Sequence, residues 1–160
     1  MKLKFYKIRP EAKLPVRAHR TDAGMDLFYC PDPNDRRVPI ASDPRQGEYW
    51  ISARESSLIS TGLKTEVPEG YMLEIKNKSG IASKRKLVVG ACVVDPGYDG
   101  EIYVNLHNIG VETQRIKPGD KIAQAVLVPV VHCGIEEVKE DNLNNGSSRG
   151  DGGFGSTGDR

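Results

Sequence analysis

The sequence predicts an all-β domain in which many short strands form a β-barrel or a sandwich. Three observations support this prediction. Apolar and polar residues alternate with a period of two along several segments. Turn-forming residues separate these segments about every ten residues, and only one stretch, residues 81–86, suits a helix. The length of 160 residues fits one domain.

The strands follow from these patterns in chain order. Alternation occurs at residues 2–6, 73–76 and 101–107, where the apolar side of each strand would face the core. Short runs rich in β-branched residues predict two more strands, at residues 87–89 and 125–128. The turns between strands contain proline, glycine and aspartate, and they lie at residues 68–70, 95–97, 99–100 and 118–120.

Two regions differ in composition from the predicted domain. Residues 31–47 are rich in Pro, Asp and Arg and are expected to form an inserted surface loop. Residues 142–160 are rich in Gly and nearly free of apolar residues, so they cannot offset an ordering cost of about 1–2 kcal/mol per residue. We therefore place the domain at residues 1–141 and expect residues 142–160 to be a flexible arm. Within that arm, Arg149 offers a phosphate-pairing group and Phe154 a base-stacking one.

Charge and cysteine usage restrict the possible partners and compartment. The net charge of +1 gives no sign of a nucleic-acid partner. The three cysteines are widely spaced and complete no zinc pattern with the histidines, and their odd number favours a reducing compartment. No apolar run reaches membrane-spanning length, and the N-terminus lacks the apolar segment of a signal peptide. We expect a soluble, cytoplasmic protein with no targeting segment and no membrane contact.

Two short motifs contain chemistry that suits a phosphate ester. Lys78-Ser79-Gly80 places a cation, a hydroxyl and a glycine where the predicted helix begins, which suits phosphate binding, although a solvated surface explains the same residues. Asp95 and Tyr98 lie in a tight turn between two strands. Asp95 is a candidate general base and Tyr98 a candidate ligand-packing ring, although an ordinary hairpin turn has the same composition.

Five segments in order resemble the five motifs of the trimeric, all-β dUTPase family, and the resemblance covers nearly the whole chain. The last segment is the most specific, and the N-terminal residues 8–15 also resemble the first strand and turn of the family. The five segments are residues 23–27, 78–80, 90–100, 119–124 and 149–158.

The resemblance implies a distorted, jelly-roll-like β-barrel with one short helix and a flexible Gly-rich arm. It also implies a hydrolase, dUTP diphosphatase, which converts dUTP to dUMP and pyrophosphate, limits uracil in DNA and supplies dUMP for dTMP synthesis. Asp95 matches the carboxylate that activates a water for attack on the α-phosphorus. Asp26 matches the carboxylate that holds waters around a Mg²⁺ ion on the triphosphate, an outer-sphere role that suits this ion. Tyr98 matches a ring that lies under the deoxyribose and excludes a 2′-hydroxyl.

The remaining implied substrate-binding residues fall into three sets. The phosphates would contact Lys78, Ser79, Gly80 and Gln124. The uracil edge would be read by the main chain of residues 89–94, which include Val89, Gly90, Val93 and Val94, with Tyr103 on the next strand. Arg149, Phe154, Gly155, Ser156 and Thr157 of the arm would bind the γ-phosphate, cover the uracil and wrap the terminal phosphate. The family implies a homotrimer whose sites are each assembled from three subunits.

Four departures from the family pattern stand out. One is the Pro96-Gly97 pair, which makes the turn tighter than the usual acidic or small pair does. Lys78 replaces a usual Arg, so the charge is kept and the bidentate fork is lost; either the phosphate geometry is looser, or Arg85 or another residue compensates. Cys92 stands where glycine is common. Residues 31–47 form a longer connection than usual and are a candidate contact for a protein partner.

Alternatives from other classes remain open at this point. One is a dCTP deaminase, or a bifunctional deaminase–dUTPase, because the Asp95-Pro-Gly-aromatic turn is similar to that group. Another is a dUTP-sensing regulatory protein that binds its partner through residues 31–47. A purely structural trimeric β-module is the third, and it leaves the five motifs unexplained.

Overall fold

A computed structural model describes residues 1–34 and 47–143 together with Gly152. Eleven strands and one α-helix occupy these ranges, so the predicted all-β class is confirmed. The strands are β1 Lys4–Lys7, β2 Met25–Phe28, β3 Tyr49–Ile51, β4 Ser56–Ser60, β5 Leu63–Glu66, β6 Tyr71–Lys76, β7 Leu87–Val89, β8 Val93–Val94, β9 Tyr103–Asn108, β10 Gln114–Ile116 and β11 Lys121–Pro129. Helix α1 spans Ser79–Arg85, and a short 3₁₀ turn spans Glu140–Asn142.

The strands form four antiparallel sheets that do not close into a barrel within the described ranges. The largest sheet has the order β2-β11-β6-β8, and a three-stranded sheet has the order β4-β9-β7. Two ribbons, β1-β5 and β10-β3, complete the arrangement. Because β8 lies at the end of the four-stranded sheet, one of its backbone edges has no partner strand there.

The alternating segments place their apolar side chains in one core, as predicted. Along β9, Val104 and Leu106 are fully buried, while Tyr103, Asn105 and His107 point to the other side and are half-buried. On β6, Leu73 and Ile75 are buried in the same way. The period of two therefore decides which side chains of β9 remain available outside the core.

Asn108 is a buried polar residue that joins two sheets. Its side-chain nitrogen donates to the carbonyl oxygens of Ile51, Ser52 and Glu112 at 3.0, 3.1 and 2.7 Å. Its side-chain oxygen accepts the N–H of Gly110 at 3.0 Å. Because each polar atom is satisfied, the burial of this amide is compatible with a stable core.

No helix within the described part of the chain has both the length and the apolar character that crossing a membrane requires.

Candidate functional site

Four polar residues from separate parts of the chain form a cluster that we call the phosphate-side cluster: Asp26, Lys78, Lys121 and Gln124. Asp26 on β2 lies directly opposite Gln124 on β11. Lys78 precedes α1, and its Nζ atom lies 2.8 Å from Asp26 Oδ1, while Lys121 Nζ lies 2.7 Å from Asp26 Oδ2. Two ammonium groups therefore neutralise a carboxylate that is only 4% exposed.

The two lysines keep Asp26 ionised. Burial by itself would raise the pKa of this carboxyl, but the hydrogen bonds and charges of Lys121 and Lys78 outweigh burial and lower the pKa below its ordinary value. Within the described ranges, no group of three or more His, Cys, Asp or Glu residues could hold a metal ion directly. A single ionised carboxylate fits an ion that keeps most of its waters and binds mainly to substrate phosphates, as Mg²⁺ does.

Local packing explains why the residue two positions before Asp26 is a glycine, Gly24. A Cβ atom on Gly24 would lie 2.0 Å from the side-chain oxygen of Gln124, so any larger residue would displace that side chain. The Gln124 side-chain nitrogen donates to the carbonyl oxygen of Asn77 at 2.9 Å, which ties β11 to the segment before α1. Ser79 and Gly80 are exposed in the first turn of α1, where no side chain caps the helix.

A second cation accompanies Lys78 at the Asp26 carboxylate. Arg85 does not approach Asp26. Its guanidinium donates to Gln114 and to the Arg115 carbonyl and lies 3.7 Å from Asp120. Lys121 supplies the second cation instead, from the first position of β11, which lies in the fourth motif.

A cleft of about 390 Å³ lies beside the hairpin that follows β7, and we call it the hairpin cleft. Residues 91–95 of the hairpin contribute to its lining. The polar or aromatic residues Tyr98, Glu101, Tyr103 and Asn105 line it as well. The cleft therefore combines an extended backbone, a carboxylate and two aromatic rings.

The turn at residues 95–98 places Asp95 and Tyr98 at the cleft. The Tyr98 N–H donates to the Asp95 carbonyl at 3.3 Å, and Gly97 has φ of 82°. Proline at the second position and a glycine with positive φ at the third are typical of a type II turn. Asp95 is exposed. Tyr98 is 49% exposed, and its hydroxyl donates to the Glu101 carbonyl at 2.9 Å, so the ring is anchored at its hydroxyl end while about half of the residue stays accessible.

The free edge of β8 borders the same cleft. β8 pairs with β6 on one side, and the Ile75 N–H donates to the Cys92 carbonyl at 2.6 Å. The opposite edge offers alternating N–H and C=O groups, which can pair with the edge of a planar base. Val93 and Val94, two of the predicted uracil-reading residues, lie on this strand.

Val89 and Gly90 have a different environment from Val93 and Val94. The Val89 N–H donates to the Asn77 side-chain oxygen at 2.6 Å, and the Gly90 N–H donates to the Asn105 carbonyl at 2.9 Å. These two amides therefore hold the hairpin in place, and neither residue lines the hairpin cleft.

Sequence reasoning missed residues that the tertiary fold brings to both clusters. Lys121 joins the phosphate-side cluster, and Glu101 and Asn105 join the hairpin cleft. The Glu101 carboxylate accepts the N–H of Gly62 at 2.7 Å, the Tyr103 hydroxyl at 3.2 Å and a bidentate pair from Arg9. For Asn105 the sequence contains one signal: its position in the alternating pattern of β9 places it on the side that faces away from the core.

Asp95 and Tyr98 form no hydrogen bond or ion pair with Asp26, Lys78 or Gln124 in the part of the chain that the structure describes. No member of the phosphate-side cluster is among the described residues that line the hairpin cleft. The predicted lid residues, Arg149, Phe154, Gly155, Ser156 and Thr157, lie outside the described residues, as do positions 35–46 of the inserted loop.

Comparison with known proteins gives one consistent result. The dUTPase family model matches residues 45–158. The deoxyuridine 5′-triphosphate nucleotidohydrolase of Clostridium tetani is 39% identical over 158 residues, which cover 98% of this chain and 96% of that protein. The structure of the dUTPase of Staphylococcus bacteriophage 80alpha with dUpNHpp matches with a TM-score of 0.79 and 27% identity, over 98% of each chain.

A second solved structure concerns a metal ion. A variant dUTPase from phage phi11 of S. aureus, described with a structural Mg(II) ion, matches with a TM-score of 0.73 and 25% identity. The match covers 88% of this chain and 98% of that one.

Proposed function

The chain belongs to the dUTPase family, and from this premise we propose that it hydrolyses dUTP to dUMP and pyrophosphate with Asp95 as the general base. The observation that carries the proposal is the turn that places Asp95 and Tyr98 at the mouth of the hairpin cleft, beside the unpaired edge of β8. A base in the cleft would bring its sugar over the Tyr98 ring and its α-phosphate toward Asp95.

In this reaction Asp95 takes a proton from a water molecule whose oxygen attacks the α-phosphorus. The bond from that phosphorus to the bridging oxygen breaks, and pyrophosphate leaves. Such a displacement needs positioning and charge neutralisation more than covalent catalysis. Lys78 and Lys121 offer cationic charge for the phosphates, and Ser79, Gly80 and Gln124 offer hydrogen bonds.

We propose that Mg²⁺ accompanies the triphosphate and that Asp26 accepts hydrogen bonds from its waters. The support is the ionised Asp26 carboxylate, together with the lack, among the described residues, of any group of three or more His, Cys, Asp or Glu side chains that could bind the ion directly. When bound, the ion would neutralise charge on the triphosphate. The arm residues Arg149, Phe154, Gly155, Ser156 and Thr157 would close the site over uracil and the terminal phosphates. This role stays a prediction, as does a protein partner at residues 31–47.

The deciding experiment measures pyrophosphate release from dUTP, UTP, dTTP and dCTP in the presence of Mg²⁺. We expect release from dUTP and little from the others. Asp95→Asn is expected to lower turnover by about 10²–10⁴-fold, the usual contribution of a general base, with substrate binding largely kept. Asp99→Asn is the matched control, because Asp99 lies in the same loop with an exposed side chain. An active Asp95→Asn enzyme would refute the mechanism.

Ammonia release from dCTP tests the deaminase alternative. We expect none, because the chain matches deoxyuridine triphosphate nucleotidohydrolases along nearly its whole length.

We further propose a homotrimer with shared sites. Two observations support it: among the described residues, no member of the phosphate-side cluster lines the hairpin cleft, and the segment after β11 exposes Val131 and Ile135 almost completely. Side chains of this kind are usually covered in an assembly.

Complementation tests the shared site. Co-expressed Asp95→Asn and Lys78→Ala chains should form mixed trimers in which some sites combine an intact Asp95 with an intact Lys78, so activity should exceed that of either parent. Light scattering should give the mass of three chains. Mixed trimers with no recovered activity would show that each site is built from one chain.

A further inference from the structure

The side-chain amide of Asn105 is held in one orientation at the hairpin cleft. Its side-chain oxygen accepts the Ala91 N–H at 3.1 Å, and His107 Nε2 lies 2.9 Å from the same oxygen. Because a backbone N–H can only donate, the oxygen end of the amide must face Ala91, and His107 Nε2 must carry a hydrogen. The Asn105 amide nitrogen is the end that remains, and it donates no hydrogen bond within the described protein.

Apart from the weak S–H donor of Cys92, the other polar side chains of the cleft are already engaged or cannot donate. The Tyr98 hydroxyl donates to the Glu101 carbonyl, and the Tyr103 hydroxyl donates to the Glu101 carboxylate. Asp95 has no N–H group to donate. Of the cleft-lining side chains that the structure describes, Asn105 is the one with an uncommitted N–H donor.

The packing around Asn105 shows that its position is tied to the hairpin. A Cβ atom on Gly90 would lie 2.3 Å from the Asn105 side-chain oxygen and 2.2 Å from His107 Nε2. The Gly90 N–H also donates to the Asn105 carbonyl at 2.9 Å. Glycine thus lets the hairpin backbone rest directly on this amide, and the amide is fixed relative to the edge of β8.

We propose that the Asn105 amide nitrogen donates a hydrogen bond to the carbonyl oxygen at position 4 of the pyrimidine and so selects uracil against cytosine. This inference rests on the proposed function, because it requires the base to occupy the hairpin cleft. Uracil has an acceptor at position 4, whereas cytosine has an amino group that donates. With cytosine in the cleft, the amino group of the base would face the Asn105 amide nitrogen, and neither donor would find an acceptor. Each donor left unpaired lowers the affinity for the nucleotide by a factor of about 5–150.

The Asn105 side chain distinguishes uracil from cytosine in a way that the backbone edge of β8 cannot. A strand edge offers both N–H and C=O groups, so a small shift in the position of the base lets it pair with either pyrimidine. Asn105 presents only a donor, because its oxygen is engaged by Ala91 and His107. It is therefore a specificity-determining residue rather than a catalytic one.

The test is Asn105→Asp, which keeps the side-chain size and an acceptor for the Ala91 N–H but replaces the donor with an acceptor. We expect the ratio of kcat/KM for dUTP to that for dCTP to fall by at least about 30-fold. Asn34→Asp makes the same chemical change at an exposed position outside the cleft and should leave the ratio unchanged. If Asn105 only supports the hairpin, both substrates should change by the same factor, and an unchanged ratio overturns the proposal.

A second variant and a binding measurement keep the proposal testable if Asn105→Asp fails to fold or loses its turnover. Asn105→Ala removes the donor without adding charge and should lower the ratio by about tenfold. Calorimetry with dUDP and dCDP gives the same comparison without catalysis. Failure of the wild type to hydrolyse dUTP would refute the proposed function, whereas equal wild-type affinities for dUDP and dCDP would refute the role of Asn105.

Discussion

Replacement of Arg9 by methionine removes the cation that neutralises Glu101, one of the residues that line the hairpin cleft. The two side chains are only 14% and 9% exposed, and the guanidinium donates two hydrogen bonds to the carboxylate and a third, at 3.3 Å, to the Cys30 carbonyl. Burial alone would lower the pKa of Arg9, but its bonds to Glu101 and Cys30 outweigh burial and raise it. Methionine has a similar length and leaves the Glu101 carboxylate buried without its counter-ion.

The expected loss of stability can be worked from these contacts. Removing one partner of a buried ion pair costs about 3–5 kcal/mol, because the remaining charge is buried and unpaired. Glu101 keeps two donors, the Gly62 N–H at 2.7 Å and the Tyr103 hydroxyl at 3.2 Å. These donors place the expected loss near the lower end, at about 3 kcal/mol. The Arg9→Met, Glu101→Gln double variant should lose less than the sum of the two single variants, since a neutral amide avoids the buried charge.

Urea unfolding followed by the fluorescence of Trp50, the single tryptophan, measures this loss. Protein concentration must be the same for all variants, because the proposed trimer would contribute to stability. Lys4→Met is the control: it breaks an ion pair with Glu66 whose side chains are 77% and 69% exposed, and no measurable change is expected. A loss below about 1 kcal/mol for Arg9→Met, or an equal loss for the control, would refute the reasoning.

Three further predictions concern the turn, the hairpin and the buried carboxylate. Gly97→Ala and Gly70→Ala both place alanine at φ near +80° with open space around the new Cβ, so each variant should lose about 1 kcal/mol of stability in urea unfolding. Only the Gly97 variant should lower turnover of dUTP, because Gly97 lies in the turn that carries Asp95 and Tyr98. Equal activities of the two variants would contradict this prediction. Gly90→Ala places a Cβ 2.2 Å from His107 Nε2 and should lower kcat/KM for dUTP by about 10²-fold through displacement of the hairpin, and near wild-type activity would count against it. The lowered pKa of Asp26 means that its stabilisation is present above the unfolded-state pKa of about 4 and is lost as pH falls through the lower folded-state value. The difference in unfolding free energy between the wild type and Asp26→Asn should therefore shrink below pH about 4, and a pH-independent difference would contradict the assignment.

Much of the fold could be predicted because the relevant signals are local. The period-two pattern of β9 buries Val104 and Leu106 as expected, and α1 lies within two residues of its predicted start. The family could be identified from five short segments, because each motif is a run of neighbouring residues. The separation of the strands into four sheets could not be predicted, because strand order depends on pairings between distant segments.

The sequence by itself determined the turn that carries Asp95 and Tyr98. Proline fixes φ at one position and glycine permits positive φ at the next, so this geometry follows from neighbouring residues. Which side chains complete the phosphate-side cluster and the hairpin cleft depends on the tertiary structure. Lys121 reaches Asp26, Arg9 reaches Glu101 and Asn105 reaches the hairpin only because strands distant in sequence lie side by side. Local patterns do not encode these contacts, because they depend on sheet order and register, which the packing of the whole chain sets.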